Sequence, residues 1–326
     1  IRRAVGDMRG YYELVYAPTN AEYDGRFRRI QVRTSRAGVR VQARSGYFAM
    51  PPGEGTATFA YEADLLRALR LFPAPEGFTV RVAPFRFGPE ADGVRHTLVV
   101  EIPLSGITFE PDERGEADRA HFSVLAVLRD QTGLVAQKLS GDSPVFLPPQ
   151  QRDALKAGNA VFIRSFTAPP GRYTLETAVV EQLARRYSVH RTSLRIDRPP
   201  PGLSVSDVAL IKRTEAVPAG ALATGDPFRQ GETRLVPWLS APRVEREDPL
   251  SVFAVAYPPK GGRTDVLLEY LRDGELVAQS LTELPPPDAT GRAPFVAAVP
   301  TNELEPGSYE LRLLLKHGGL VAQRHA

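Results

Sequence analysis

The residue types that carry acid–base, nucleophilic or metal chemistry occur in this chain, but their spacing does not assemble them. The five histidines, His96, His121, His190, His317 and His325, stand in neither His-x-x-x-His nor His-Glu-x-x-His intervals, the spacings that set two imidazoles on one helix face around a metal. Each is expected on a surface or strand face, with His96 and His121 at strand starts and His190 inside a strand. The chain has no cysteine, which removes thiol nucleophiles, thiolate metal sites and disulfide scaffolds together. A Gly-x-Ser-x-Gly elbow, a phosphate-binding loop and a dinucleotide fingerprint are all missing, so acyl, phosphoryl and hydride transfer lack their usual carriers. Glu110-Pro111-Asp112-Glu113 with Glu116 and Asp118, and Glu245-Arg246-Glu247-Asp248, offer calcium-binding oxygens without the spacing of a calcium loop, and read as solvated loops. Gly141-Asp142-Ser143-Pro144 reads as a plain turn. No catalytic, cofactor or metal residue is therefore expected here, and the segment is expected not to be an enzyme.

Aromatic residues are what remain as candidate ligand contacts. Trp238, the only tryptophan, sits in Leu235-Val236-Pro237-Trp238-Leu239. A lone tryptophan in a β-sandwich is ordinarily core; Pro237 and Pro242 instead favour an edge or loop, where its ring could serve as a platform for sugar or peptide. Tyr257, followed by Pro258 and Pro259, is a second, weaker candidate.

The elements that must position these residues are mostly strands. In 326 residues, 42% of them hydrophobic, the 30 prolines and 27 glycines punctuate short runs of Val, Leu, Phe, Tyr and Thr, the pattern of an all-β protein with many turns. Residues 51–77 read as a connector whose Leu65, Leu66, Leu69 and Phe72 recur at helical spacing, predicting a short helix over Tyr61–Leu71 that packs on a neighbouring domain; a membrane-surface helix is the rival. Residues 78–197 hold seven strand candidates: Phe78–Phe87, His96–Pro103, Arg119–Arg129, Leu134–Ser140, Ala160–Ala168, Arg172–Glu181 and Tyr187–Ile196. Seven short strands in such a length point to an immunoglobulin-like sandwich. A short helix is expected near Pro149–Leu155. Residues 198–202, Arg198-Pro199-Pro200-Pro201-Gly202, read as a semi-rigid linker, and residues 203–326 as a second sandwich.

The two modules share an internal repeat. Leu128-Arg129-Asp130-Gln131-Thr132-Gly133-Leu134-Val135-Ala136-Gln137 matches Leu271-Arg272-Asp273-Gly274-Glu275-Leu276-Val277-Ala278-Gln279, each a hairpin. Pro170-Gly171-Arg172-Tyr173-Thr174-Leu175 matches Pro306-Gly307-Ser308-Tyr309-Glu310-Leu311. Gly171 and Gly307 are assigned structural roles in the turns, and Tyr173 and Tyr309 are expected to bond their hydroxyls to nearby backbone as a tyrosine corner does. In the second copy Leu320-Val321-Ala322-Gln323 would begin the last strand. A chain opening on Ile1-Arg2-Arg3 and stopping at Arg324-His325-Ala326 is expected to be part of something longer, with a truncated closing strand whose open edge invites self-association.

Charge excludes little but argues against nucleic acid. Basic residues number 41 and acidic residues 38, evenly mixed, and the densest arginine stretch, Arg26, Arg28, Arg29, Arg33, Arg36, Arg40 and Arg44, fits one solvated strand face rather than an anion-binding patch. No apolar run reaches 18 residues, so no membrane span is expected.

Residues 1–50 predict a helix over Ile1–Arg9 stopped by Gly10, a strand Tyr11–Tyr16, a turn at Asp24-Gly25, and strands at Arg29–Thr34 and Val39–Ala43. Tyr-Tyr-Glu-Leu-Val-Tyr-Ala-Pro (11–18), Asp-Gly-Arg-Phe-Arg-Arg-Ile-Gln-Val (24–32), Gly-Val-Arg-Val-Gln-Ala-Arg (38–44) and Ser-Gly-Tyr-Phe-Ala (45–49) together resemble the closing segment of bacterial von Willebrand factor A (VWA)-related domains. The resemblance implies an α/β remnant over 1–50, and a metal-ion-dependent adhesion site in an Asp-x-Ser-x-Ser loop upstream. That loop does not occur here, so the divalent metal is implied for the missing upstream part only. The fold expected is mainly β: tandem immunoglobulin-like sandwiches after a VWA-like remnant and a short helix. The function expected is that of a non-enzymatic structural or interaction protein, secreted, periplasmic or on the cell surface, with a protein partner. A carbohydrate-binding accessory module built on Trp238, and a subunit of a homopolymeric fibre joined by edge strands, are the alternatives.

Overall fold

The computed structural model describes residues 27–36, 46–48, 59–112, 115, 117–147, 158–217, 226–246 and 248–326. The chain divides into two compact units, 1–56 and 57–326. In the first, β1 (Phe27–Arg29) pairs antiparallel with β2 (Gly46–Phe48), Phe27 opposite Phe48. A strand over Arg29–Thr34 is not formed: the ladder ends at Arg29, and residues 30–36 run on without regular structure, with Arg29, Arg33 and Arg36 exposed. The expected elements at 1–9, 11–16, 24–25, 39–43 and 149–155 lie outside the described residues.

The second unit is mainly β. It begins with α1 (Glu62–Ala68), shorter than the sequence predicts. Then come β3 (Arg81–Glu90), β4 (Gly93–Pro103), β5 (Glu110–Pro111), β6 (Asp118–Asp130), β7 (Val135–Leu147), β8 (Asn159–Ala168), β9 (Gly171–Glu181) and β10 (Arg186–Ile196). One sheet runs β10-β9-β6-β7, with β5 also on β6; the other runs β3-β4-β8. Val94, Leu98, Val100 and Ile102 of β4 meet Phe122, Val124, Ala126 and Leu128 of β6 in the core between the sheets, because alternate residues of a strand point to one face.

The odd residues of β6, Leu125 and Val127, face the other way, onto Leu65 and Ala68 of α1 and Leu69 just after it. The helix is therefore a cover for the outer sheet face, not a membrane-surface element. Of its expected stripe, Phe72 falls outside, 97% exposed. The buried carboxylate of Glu62 anchors the helix, accepting from Lys138 Nζ at 2.8 Å and Ser140 Oγ at 2.6 Å.

The second sandwich repeats this order. Its strands are β11 (Ser204–Val205), β12 (Ala209–Ala216), β13 (Arg229–Gln230), β14 (Thr233–Pro237), β15 (Leu250–Tyr257), β16 (Asp265–Arg272), β17 (Glu275–Thr282), β18 (Ala293–Val299), β19 (Glu310–His317) and β20 (Leu320–His325). β12-β15-β18 corresponds to β3-β4-β8, and β17-β16-β19-β20 to β7-β6-β9-β10. The expected repeat is therefore a repeat of strand order as well as of sequence. β20 pairs with β19 from Leu320 to His325 and forms the edge of its sheet. The repeat's two hairpins turn differently. Asp273 and Gly274, both at positive φ, make a two-residue turn of the kind that matches strand twist, while the first copy takes a longer route through Asp130–Leu134.

Between the sandwiches, the residues after Arg198 lead into a seam rather than a gap. Phe87, Val99 and Ile163 on the outer face of β3-β4-β8 pack on Ala209, Ile211, Phe253 and Val255 on the outer face of β12-β15, with Phe228 of the β12–β14 connection among them. The layers run α1, then four sheets. Polar links cross the same seam. Asp207 N donates to the Arg86 carbonyl and Arg86 N to Asp207 Oδ2, each at 2.8 Å, and Lys212 Nζ reaches the buried Glu101 carboxylate at 3.0 Å. No helix among the described residues is long and apolar enough to cross a membrane.

Candidate functional site

The scattered histidines stay scattered. His96 is not on a surface: it is 1% exposed, stacked on Phe166 with ring centroids 5.4 Å apart, its Nδ1 3.1 Å from the Val94 carbonyl oxygen. Burial holds its pKa below the ordinary value, since desolvation penalises the charged ring. It lies on the inward face of β4, whose remaining residues are apolar enough to accept one neutral imidazole. His190 is exposed. His317 Nδ1 lies 2.8 Å from Thr264 Oγ1, and His325 sits against Glu310.

One cluster brings together the residue types of a nucleophilic triad in the wrong order. Gly141-Asp142-Ser143-Pro144 is not a turn; it lies within β7, paired with β6, and so places Asp142 beside two outward residues of β6. Ser123 Oγ donates to Asp142 Oδ1 at 2.5 Å, and His121 Nε2 lies 2.8 Å from the same oxygen. A triad needs the imidazole between hydroxyl and carboxylate to take the proton; here the carboxylate is in the middle. Ser123 accepts a further bond from Gln182 Nε2 at 2.7 Å, which makes the group a cross-strand polar network. Among the described residues no group of three or more acidic, histidine or cysteine side chains could hold a metal ion.

Tyr173 Oη donates to the Pro169 carbonyl at 2.9 Å, and Tyr309 Oη to the Glu305 carbonyl at 2.6 Å, the same four-residue reach in both copies. The glycines make room for these corners. A Cβ at Gly171 would stand 3.2 Å from the Tyr173 ring, and one at Gly307 2.5 Å from Arg272 Nη2.

Trp238 and Tyr257 part company. Trp238 is half-buried, and Lys212 Nζ lies 4.7 Å from its ring centroid, a cation–π contact that occupies one ring face. The same Lys212 bonds Glu101, so this indole is tied into the seam. Tyr257 ends β15 and lines a cleft of ≈ 440 Å³. Phe87 and Arg95 line the cleft from the first sandwich; Asp226, Pro227, Arg229, Gln230, Gly231, Val255, Tyr257, Asp288, Arg292 and Pro294 line it from the second. The Tyr257 ring lies so close to the Gly88 backbone that a Cβ there would be 2.1 Å from its Cζ.

Two local turns shape the cleft's rim. Asp288 Oδ1 accepts from Thr290 N at 2.8 Å, Thr290 Oγ1 at 2.6 Å and Arg292 N at 3.1 Å, bonds that hold its carboxyl far below the usual range, the threonine hydroxyl first among them. Asp226 Oδ1 accepts from Phe228 N at 3.0 Å, and its Oδ2 from Arg234 Nε at 2.9 Å. Of the lining groups only Tyr257 is singled out by sequence reasoning. Arg95, Arg292 and Asp288 are missed, although a signal exists: Asp288-Ala289-Thr290-Gly291 repeats the Asp-x-Thr-Gly of Asp130-Gln131-Thr132-Gly133, where Asp130 Oδ1 takes the same three kinds of bond.

No family model matches this chain, and no curated protein does. Among solved structures it is similar to a β-glucuronidase of Bifidobacterium dentium, complexed with coumarin-3-O-glucuronide, at 11% identity and a TM-score of 0.21, over 77% of this chain and 48% of that one. The chain thus spans about half the length of that enzyme, and so low a score carries no argument about fold or activity.

Proposed function

We propose that this chain is a non-enzymatic structural and interaction protein of the bacterial cell surface or secreted fraction, in which two immunoglobulin-like sandwiches carry a VWA-like adhesion domain whose closing segment is residues 1–50. The observation that supports a presenting role most directly is the apolar seam. Phe87, Phe228 and Phe253 are buried between the sandwiches, so the two modules pack directly on one another rather than hang as beads on a linker. Packed modules suit a presenting role, because orientation lost in a flexible chain costs effective concentration at the target.

The test is a chain extended upstream of Ile1. It should contain the Asp-x-Ser-x-Ser loop and bind protein ligands in the presence of magnesium or manganese ions, with binding lost on chelation. Binding that survives chelation, or that residues 57–326 reproduce at full strength alone, overturns the reading.

A further inference from the structure

The cleft at the seam has features of a ligand site that the repeat does not need for folding. Its lining includes Tyr257, half-buried, whose hydroxyl makes no hydrogen bond to any described residue. Burial pushes this phenol up to about 12, against the opposing pull of Arg292, Arg95 and Arg86. The phenol is therefore a permanent donor at neutral pH, fixed in place by its contact with Gly88 and lacking an acceptor.

Two of the cations beside it, Arg95 and Arg292, have donors to spare. Arg95 pairs with Glu90 through Nη1 at 3.2 Å, which leaves Nε and Nη2. Arg292 bonds Asp288 Oδ2 through Nε at 3.2 Å and Nη2 at 3.1 Å, which leaves Nη1. Arg229 bonds the Gly231 carbonyl through Nε at 3.0 Å. Each of the carboxylates beside them is already engaged, Glu90 by Arg95, Asp288 by its turn and Arg292, and Asp226 by Arg234, so the spare guanidinium donors of Arg95 and Arg292 are not taken up by them. Phe87, Pro227, Val255 and Pro294 supply the apolar part of the lining, and Gln230 adds one more polar side chain, its Nε2 bonded to the Pro227 carbonyl at 3.2 Å. An apolar wall with a few convergent polar groups is the usual make-up of a small-molecule site, and ≈ 440 Å³ lies within the usual size range.

We propose that this cleft binds a small organic carboxylate with an apolar body, its acid group accepting from Tyr257 Oη and from the guanidinium groups of Arg95 and Arg292. A carboxylate answers the unmet donors, because bonds from charged or fixed donors to an anion are the strong class. An apolar body answers the proline and phenylalanine walls. The site exists only where the sandwiches meet, since Phe87 and Arg95 come from one and Tyr257 and Arg292 from the other.

Isothermal titration of the full chain with benzoate tests this, with benzyl alcohol as the neutral counterpart and inorganic phosphate as the anion without an apolar body. Benzoate should bind, benzyl alcohol and phosphate should not, and phosphate should not displace benzoate. Tyr257→Phe keeps the ring on Gly88 and should weaken benzoate roughly tenfold or more, the worth of one hydrogen bond to a charged group; Arg95→Gln should do the same. Absence of benzoate binding, equal binding of benzyl alcohol, displacement by phosphate, or undiminished affinity in Tyr257→Phe overturns the proposal. Titration needs neither divalent metal nor a protein ligand, so failure here is separable from failure of the adhesion reading.

Discussion

The two sandwiches have the same strand order and turn the same pair of motifs to different ends. In the first copy, Arg129 runs along its strand, Nε to Glu176 at 2.8 Å and Nη1 to the Gly133 carbonyl at 3.1 Å. In the second, the matching Arg272 crosses to the tyrosine corner, with Nη2 2.9 Å from Tyr309 Oη and 2.8 Å from the Pro306 carbonyl. Their outer faces differ more. α1 covers the β6-β9 face of the first copy; on the second, Leu276, Val277, Leu281 and Val321 remain exposed on β17 and β20. Residues shared between the copies fold a sandwich. Residues particular to one copy, the helix, the β13–β14 hairpin and the turn at Asp288, create covers, the seam and the cleft.

Removing a residue particular to one copy tests whether the seam joins the two. Phe228 is fully buried and meets Phe85 and Phe87 edge-on, each at 5.4 Å between centroids, and Phe253 at 5.7 Å. Phe228→Ala removes a large ring from a packed site and should cost about 3–5 kcal/mol. Because the ring touches both sandwiches, calorimetry should show a single unfolding transition in the parent and a lower midpoint for the whole unit in the variant. A drop confined to one of two separate transitions would mean that the copies are independent and the comparison one of neighbours only.

Strands are legible in sequence where they are half-buried. Tyr173 and Leu175 alternate with Arg172, Thr174 and Glu176 in the half of β9 that is covered on one face, and β9 follows within a residue of its expected bounds. The layering is harder to read. Val252-Phe253-Ala254-Val255-Ala256 is an unbroken apolar run because β15 is covered on both faces, Val252 and Ala254 by its own sandwich and Phe253 and Val255 by the other; periodicity alone does not separate such a run from a buried helix. Nor does a triple proline reveal that the domains on either side of it pack together. The cleft stays illegible for the same reason: Arg95 and Arg292 belong to different copies, and only the stacking of outer faces brings them to one rim. Tyr257 is readable as a candidate because Pro258 and Pro259 end its strand and leave the ring at an edge.

A smaller effect tests the shared residues. Tyr173→Phe deletes one hydroxyl bond to backbone and should cost about 1 kcal/mol, read from denaturant midpoints. Tyr309→Phe deletes the equivalent bond and also the acceptor used by Arg272, so it should cost about 0.5 kcal/mol more. Equal losses would show that the rewiring of Arg272 is without energetic consequence, and that the copies are alike at their corners.

The smallest effect is a difference in acid response. His96 belongs to the first copy, and neither histidine of the second, His317 or His325, is buried. With its folded-state pKa lowered by burial beneath the ordinary 6.5, the imidazole is neutral in both states at higher pH and contributes nothing there. As pH falls below 6.5 the unfolded chain takes up a proton that the folded chain resists, so stability declines with acidification until the folded-state pKa is reached. His96→Phe should flatten that decline. Thermal midpoints measured between neutral pH and pH 5 check it, and an unchanged slope in the variant would place the acid sensitivity elsewhere, in groups that the two copies share.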